Sequence, residues 1–126
     1  MKYCVCPVCK NVIEVVEDHK VPVMCCGKKM EVLTANTAEA AVEKHLPVVN
    51  VENGVVNVKV GEVEHPMTEA HYIGFITVKA GNSVLRYDLN VDQAPAASFN
   101  LNGYTGLVEV YEYCNLHGLW KTEVTV

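Results

Sequence analysis

Leu107-Val108-Glu109-Val110-Tyr111-Glu112-Tyr113-Cys114, then Asn115-Leu116-His117-Gly118, then Leu119-Trp120-Lys121-Thr122-Glu123-Val124-Thr125-Val126: two β-type runs on either side of a turn decide how this chain reads. Cys114 and His117 stand at the junction of strand and turn, where both can reach one metal ion. A buried thiol beside a turn histidine gives the same spacing, so the meaning of the pair depends on what accompanies it.

Upstream, the β pattern continues back to residue 48. Val48 to Glu52 and Val55 to Val60 flank an Asn53-Gly54 turn, and Tyr72 to Lys79 and Ser83 to Leu89 flank Ala80-Gly81-Asn82. A Pro- and Ala-containing segment, Asp92 to Ser98, reads as a loop. Several short strands with regular turns indicate an all-β sandwich of immunoglobulin-like type, without fixing the strand order. Before it, Asn36 with Glu39 three residues on resembles a capping box, and Thr37 to Lys44 predicts about two helical turns, stopped by Pro47. That helix delivers Glu43, Lys44 and His45 together at its C-terminal end.

The first residues differ in kind. Five of six cysteines fall within residues 1–26, in Cys6-Pro7-Val8-Cys9 and Val23-Met24-Cys25-Cys26-Gly27, with Cys4 left over. So short a segment cannot bury enough apolar surface to fold alone, and four thiolates make a tetrahedral site suited to zinc or iron. Cys25 and Cys26 can share one ion only if the backbone turns sharply between them, which Gly27 permits. Cys4 reads as a spare buried thiol or a competing ligand.

The chain has 126 residues, half of them apolar, enough for a packed core, and a formal net charge of -5. With no basic stripe, nucleic acid or an anionic membrane is excluded as the main partner. No secretory signal or membrane span is visible, so the expected compartment is the cytoplasm, where clustered cysteines argue for metal or redox chemistry over disulfides.

His45, His65, His71 and His117 all lie in the β portion or beside it. With Cys114 they offer four imidazoles and one thiolate. Each alone reads equally as a loop or core histidine; together they exceed the four ligands of structural zinc and leave one position open on an octahedral metal, with iron favoured. Ferrous iron with one thiolate and neutral imidazoles carries a charge of about +1, which invites an anion.

At these residues the chain resembles the desulfoferrodoxin family, the two-iron superoxide reductases. The motifs are Cys6-Pro7-Val8-Cys9 with Cys25-Cys26, Glu43-Lys44-His45-Leu46-Pro47-Val48, His65-Pro66-Met67, His71-Tyr72-Ile73 and Glu112-Tyr113-Cys114-Asn115-Leu116-His117-Gly118. The resemblance implies a desulforedoxin-like iron-binding domain over 1–34 and a catalytic β-sandwich over 35–126. It implies an FeCys4 centre on Cys6, Cys9, Cys25 and Cys26, and a catalytic iron with His45, His65, His71 and His117 equatorial and Cys114 axial. It further implies one-electron reduction of superoxide to hydrogen peroxide, with Lys44 attracting the anion and Glu43 able to occupy the sixth position on ferric iron. A rubredoxin donor and a homodimer complete the expectation. Cys4 and Leu119 depart from the family pattern. An electron carrier without catalysis, and a zinc-stapled binding module, are the alternatives.

Overall fold

A computed structural model describes residues 1–126, which fall into two compact units, Met1–Thr34 and Ala35–Val126. In the first, β1 (Tyr3–Val5) pairs antiparallel with β2 (Val12–Glu14) on one side and β5 (Glu31–Val32) on the other. Between them β3 (Met24–Cys25) and β4 (Lys28–Lys29) form a hairpin whose two turn residues, Cys26 and Gly27, have φ of 52° and 73°. Two consecutive positive φ values are what a two-residue hairpin loop of type I′ demands. The sharp turn expected between Cys25 and Cys26 is therefore present. The buried apolar cluster here is small: Cys4, Cys6 and Met30, with Ile13, Val15 and Cys25 against it.

The second unit is a sandwich of two antiparallel sheets. One runs in the order β10-β7-β6, with β6 Pro47–Glu52, β7 Val55–Val60 and β10 Ala96–Asn100. The other runs β12-β11-β8-β9, with β8 Ile73–Ala80, β9 Ser83–Asp88, β11 Leu107–Cys114 and β12 Gly118–Thr125. Alternation decides which side chains go in: Val56, Val58 and Val60 of β7 face Ile76 and Val78 of β8 and Val108, Val110 and Cys114 of β11. Burying each Val or Ile contributes roughly 1.5–3 kcal/mol. Asn53 and Gly54, at φ 51° and 74°, make the expected tight turn between β6 and β7.

Two expectations are corrected. The helix α1 covers only Val42–His45, with Ala41 as its uncapped N-terminus, and the Asn36–Glu39 box does not form. Asn36 has instead a left-handed backbone, φ 62°, and its carboxamide pairs both ways with the backbone of Lys121 on the edge strand β12. Local capping loses to an edge-strand partner that only the folded sandwich provides. The second correction is β10, a strand where a loop was expected to run to Ser98. Its alanines carry little β preference, but pairing with β7 in register and burial of Phe99 override that.

Candidate metal centres

In the first unit, the Cys6–Cys9 segment curls around one sulfur. Cys6 Sγ accepts from the amides of Val8 and Cys9, both at 3.4 Å, while Lys10 N donates to Cys6 O at 3.1 Å. Cys9 Sγ lies 3.7 Å from Cys25 Sγ, and all four sulfurs of Cys6, Cys9, Cys25 and Cys26 lie within 4.8 Å of one another. The Cys9 amide, aided by that of Val8, lowers the Cys6 thiol to about 6, so it is ready to serve as a thiolate. Cys25, hydrogen-bonded first to Cys6 and then to Cys9, is raised to about 12, as befits thiols sharing protons until a cation replaces them. Cys4 is buried but stands outside this group.

In the second unit, four elements converge at one end of the sandwich. His45 closes α1; His65 follows β7; His71 precedes β8; Cys114 ends β11, and His117 lies in the turn to β12. Their rings form a near-square. Neighbouring centroids are 4.8 Å apart for His45–His65, 4.5 Å for His65–His71, 5.1 Å for His71–His117 and 4.9 Å for His117–His45. The diagonal His45–His71 is 6.4 Å. Cys114 Sγ lies 3.5 Å from His65 Nε2 and 3.8 Å from His117 Nδ1. His45, His65, His71 and Cys114 bring one donor atom each within 4.8 Å of all the others. His117 stands outside that tightest group, though its Nδ1 is 3.1 Å from His45 Nε2.

The chain fixes which nitrogens are free. A carbonyl can only accept, so His45 Nδ1–H donates to Ala41 O and His65 Nδ1–H to Pro66 O, each at 2.7 Å. Both Nε2 lone pairs are left for something else. His71 Nε2 is buried with no hydrogen-bond partner at all. Burial lowers the basicity of His45 and His71, and takes His65 to about 4, so these imidazoles are neutral at pH 7. A buried, partnerless nitrogen among neutral imidazoles and a thiol fits a soft-to-borderline cation better than any hydrogen-bonding role. Burial holds the Cys114 thiol above its ordinary range in the absence of a cation.

Four residues that the sequence left without a role shape this end. Trp120 stacks on His45 at 5.0 Å and donates from Nε1 to His117 O at 3.1 Å. Gly61 lets the α1 backbone approach: a Cβ there would lie 2.6 Å from Glu43 O, while Val63 N donates to that oxygen at 2.9 Å. Asn115 bridges to residues 70–72. Glu112, two residues before Cys114, is fully buried with both carboxylate oxygens unpartnered, and burial raises its pKa well above the usual range. Glu43 and Lys44 are exposed on α1, and the Lys44 charge bears on both His45 and His71.

The family model for desulfoferrodoxin matches residues 37–123. The chain belongs to the desulfoferrodoxin family. It is 45% identical to the desulfoferrodoxin of Syntrophotalea carbinolica over 118 residues, covering 94% of this chain and 92% of that protein. It resembles the crystal structure of the superoxide reductase from Treponema pallidum with a TM-score of 0.75 at 36% identity, covering 90% of this chain and 93% of the other. The superoxide reductase (1Fe-SOR) of Giardia intestinalis matches 67% of this chain with 99% of its own, TM-score 0.57 and 34% identity. The four-sulfur group and the histidine-cysteine group are the two donor sets of the two-iron family members. No helix is long and apolar enough to cross a membrane.

Proposed function

We propose that this chain is a superoxide reductase, with Cys6, Cys9, Cys25 and Cys26 holding one iron and His45, His65, His71, His117 and Cys114 holding the catalytic iron. The observation that carries the reading is the near-square of four imidazoles with one buried thiol set against it. Ferrous iron in such a set supplies the single electron that, with two protons, turns superoxide into hydrogen peroxide. Everything else is the work of the chain.

Ala41 O and Pro66 O fix the tautomers of His45 and His65, and Trp120 holds the His45 ring by stacking. Cys114 is buried in the sandwich, whereas His71 and His117 are half-buried, so an anion approaches from the face away from the thiol. Lys44 stands on α1 beside His45 and draws the anion in; the acid-rich remainder of the surface makes this local cation matter more. Glu43 precedes it in α1 and is the acid that would occupy the sixth position once the iron is ferric.

Residues 1–34 then act as the desulforedoxin-like domain and 35–126 as the catalytic domain, in a cytoplasmic homodimer served by a rubredoxin. Relatives named superoxide reductase support the activity. The test is metal analysis of the purified chain with a visible spectrum before and after oxidation, followed by mixing the reduced protein with superoxide. Two irons per chain and rapid oxidation by superoxide are expected. A colourless zinc protein would leave only a stapled binding module; two irons inert to superoxide would leave an electron carrier.

A further inference from the structure

The pairing of β11 with β8 slips just before the thiol: Tyr113 lies opposite Phe75, but Cys114 lies opposite Ile73. A bulge at that point re-aims the side chain that follows. The next residue is Asn115. Its backbone N donates to Tyr72 O at 3.2 Å, its side-chain Oδ1 accepts from Tyr72 N at 2.8 Å, and its Nδ2 donates to Ala70 O at 3.0 Å. The carboxamide thus supplies one acceptor and one donor where the strand ladder has ended, as a peptide group would. It grips both chain neighbours of His71, across 43 residues of sequence, from a position one peptide bond away from Cys114.

We infer that Asn115 is a positioning residue: beyond the β8–β11 ladder, which ends with Ile73 opposite Cys114, its carboxamide fixes the His71 imidazole relative to the Cys114 thiol, and so the spacing of two donors. The inference rests on the metal set proposed above. His71 most needs such a brace, because Thr68 closes its loop through Oγ1 and backbone bonds to His71 itself, which shape the loop without tying it to β11. Its Nε2 has no partner in the protein to hold the ring. Only a short primary amide fits the role. Alanine removes both side-chain bonds, and aspartate keeps the acceptor for Tyr72 N while setting a carboxylate oxygen against Ala70 O.

The test uses the full iron-loaded chain and follows iron release into a chelator by the visible bands of the two centres. Asn115→Ala is expected to release the histidine-cysteine iron about tenfold faster or more, the usual scale for loss of a group that orients a ligand. Its thiolate-to-iron band should shift while the four-sulfur centre keeps its band and its rate. Tyr104→Phe, which removes a 2.8 Å bond to Leu107 O at the far end of β11, controls for general weakening and should change neither. Asn115→Asp is the second variant. Its added negative charge beside a cation would by itself slow release, so faster release isolates the lost Ala70 bond. Release and band unchanged in Asn115→Ala overturns the inference, and release from Asn115→Asp faster than from the parent upholds it against the added charge. A parent chain that takes up iron only in its four-sulfur centre overturns the metal set and this inference with it.

Discussion

Gly61→Ala should cripple the site from outside it. An alanine Cβ at 61 would lie 2.6 Å from Glu43 O and 2.9 Å from Lys44 C, both backbone atoms that cannot swing aside. Reaching ordinary contact at 3.4 Å requires α1 and the residue 60–63 turn to part by roughly 0.8 Å. The 2.9 Å bond from Val63 N to Glu43 O sits on that seam and would be stretched or lost. Overpacking of this kind costs about 1–3 kcal/mol, or roughly 4–8 °C per kcal/mol in a unit of this size. The functional loss should be larger than the stability loss, since the displaced backbone carries Lys44 and His45; misplacement near 1 Å costs on the order of a hundredfold in rate. Stopped-flow or pulse-radiolysis rates with superoxide, iron content and a thermal melt would be compared. If Gly61→Ala matched the parent in rate and iron content, the close approach of α1 would be incidental to the chemistry.

Other perturbations separate the parts. Lys44→Ala is expected to slow the second-order reaction with superoxide and flatten its dependence on ionic strength; an unchanged salt slope would remove Lys44 from steering. His117→Ala should abolish the catalytic centre's visible band and leave the four-sulfur band, whereas loss of both would deny two independent centres. The metal-free chain should lose stability as pH falls from about 6.5 toward 4, because the unfolded chain protonates His65 where the folded chain, with that pKa at about 4, refuses the proton. Burial lowers His45 and His71 in the same direction, while Glu112, raised by burial, opposes them by binding its proton more tightly when folded. Urea midpoints at pH 7.5 and 5 in a background carrying Glu112→Gln and Cys6→Ser, the second removing a thiol that also titrates at about 6, therefore read chiefly the histidines, and a midpoint no lower at pH 5 would refute the assignment of neutral buried imidazoles.

Much of this was legible in the sequence because the informative residues act locally. Cys26-Gly27 and Asn53-Gly54 announce tight turns through backbone preference alone, and β7 announces its buried face through the alternation of Val56, Val58 and Val60 with polar neighbours. The five donors of the histidine-cysteine site were likewise visible as residue types. What stayed hidden acts across the fold. Asn36 carries every local mark of a helix cap, but its strongest partner is the backbone of Lys121, 85 positions away. Ala96-Ala97-Ser98 is a strand only because β7 offers it an edge. Gly61 and Asn115 look like ordinary turn residues until α1 and the loop before β8 are brought against them.

The same long-range placement explains why this end of the sandwich suits a cation. It gathers three imidazoles with lowered proton affinity, a thiol held protonated by burial, a ring nitrogen of His71 with no partner, and a buried carboxyl at Glu112 with none either. A buried polar atom left without a partner costs on the order of 1–3 kcal/mol. The sandwich tolerates that cost because Ile73, Ile76, Val78, Val108 and Val110 are fully buried beside it. A cation would give His71 Nε2 its missing partner and convert the Cys114 thiol to a thiolate, so binding and folding of this end of the unit are one equilibrium. The brace from Asn115 and the close seam at Gly61 belong to that balance: they hold the donors at the spacing that one cation would share.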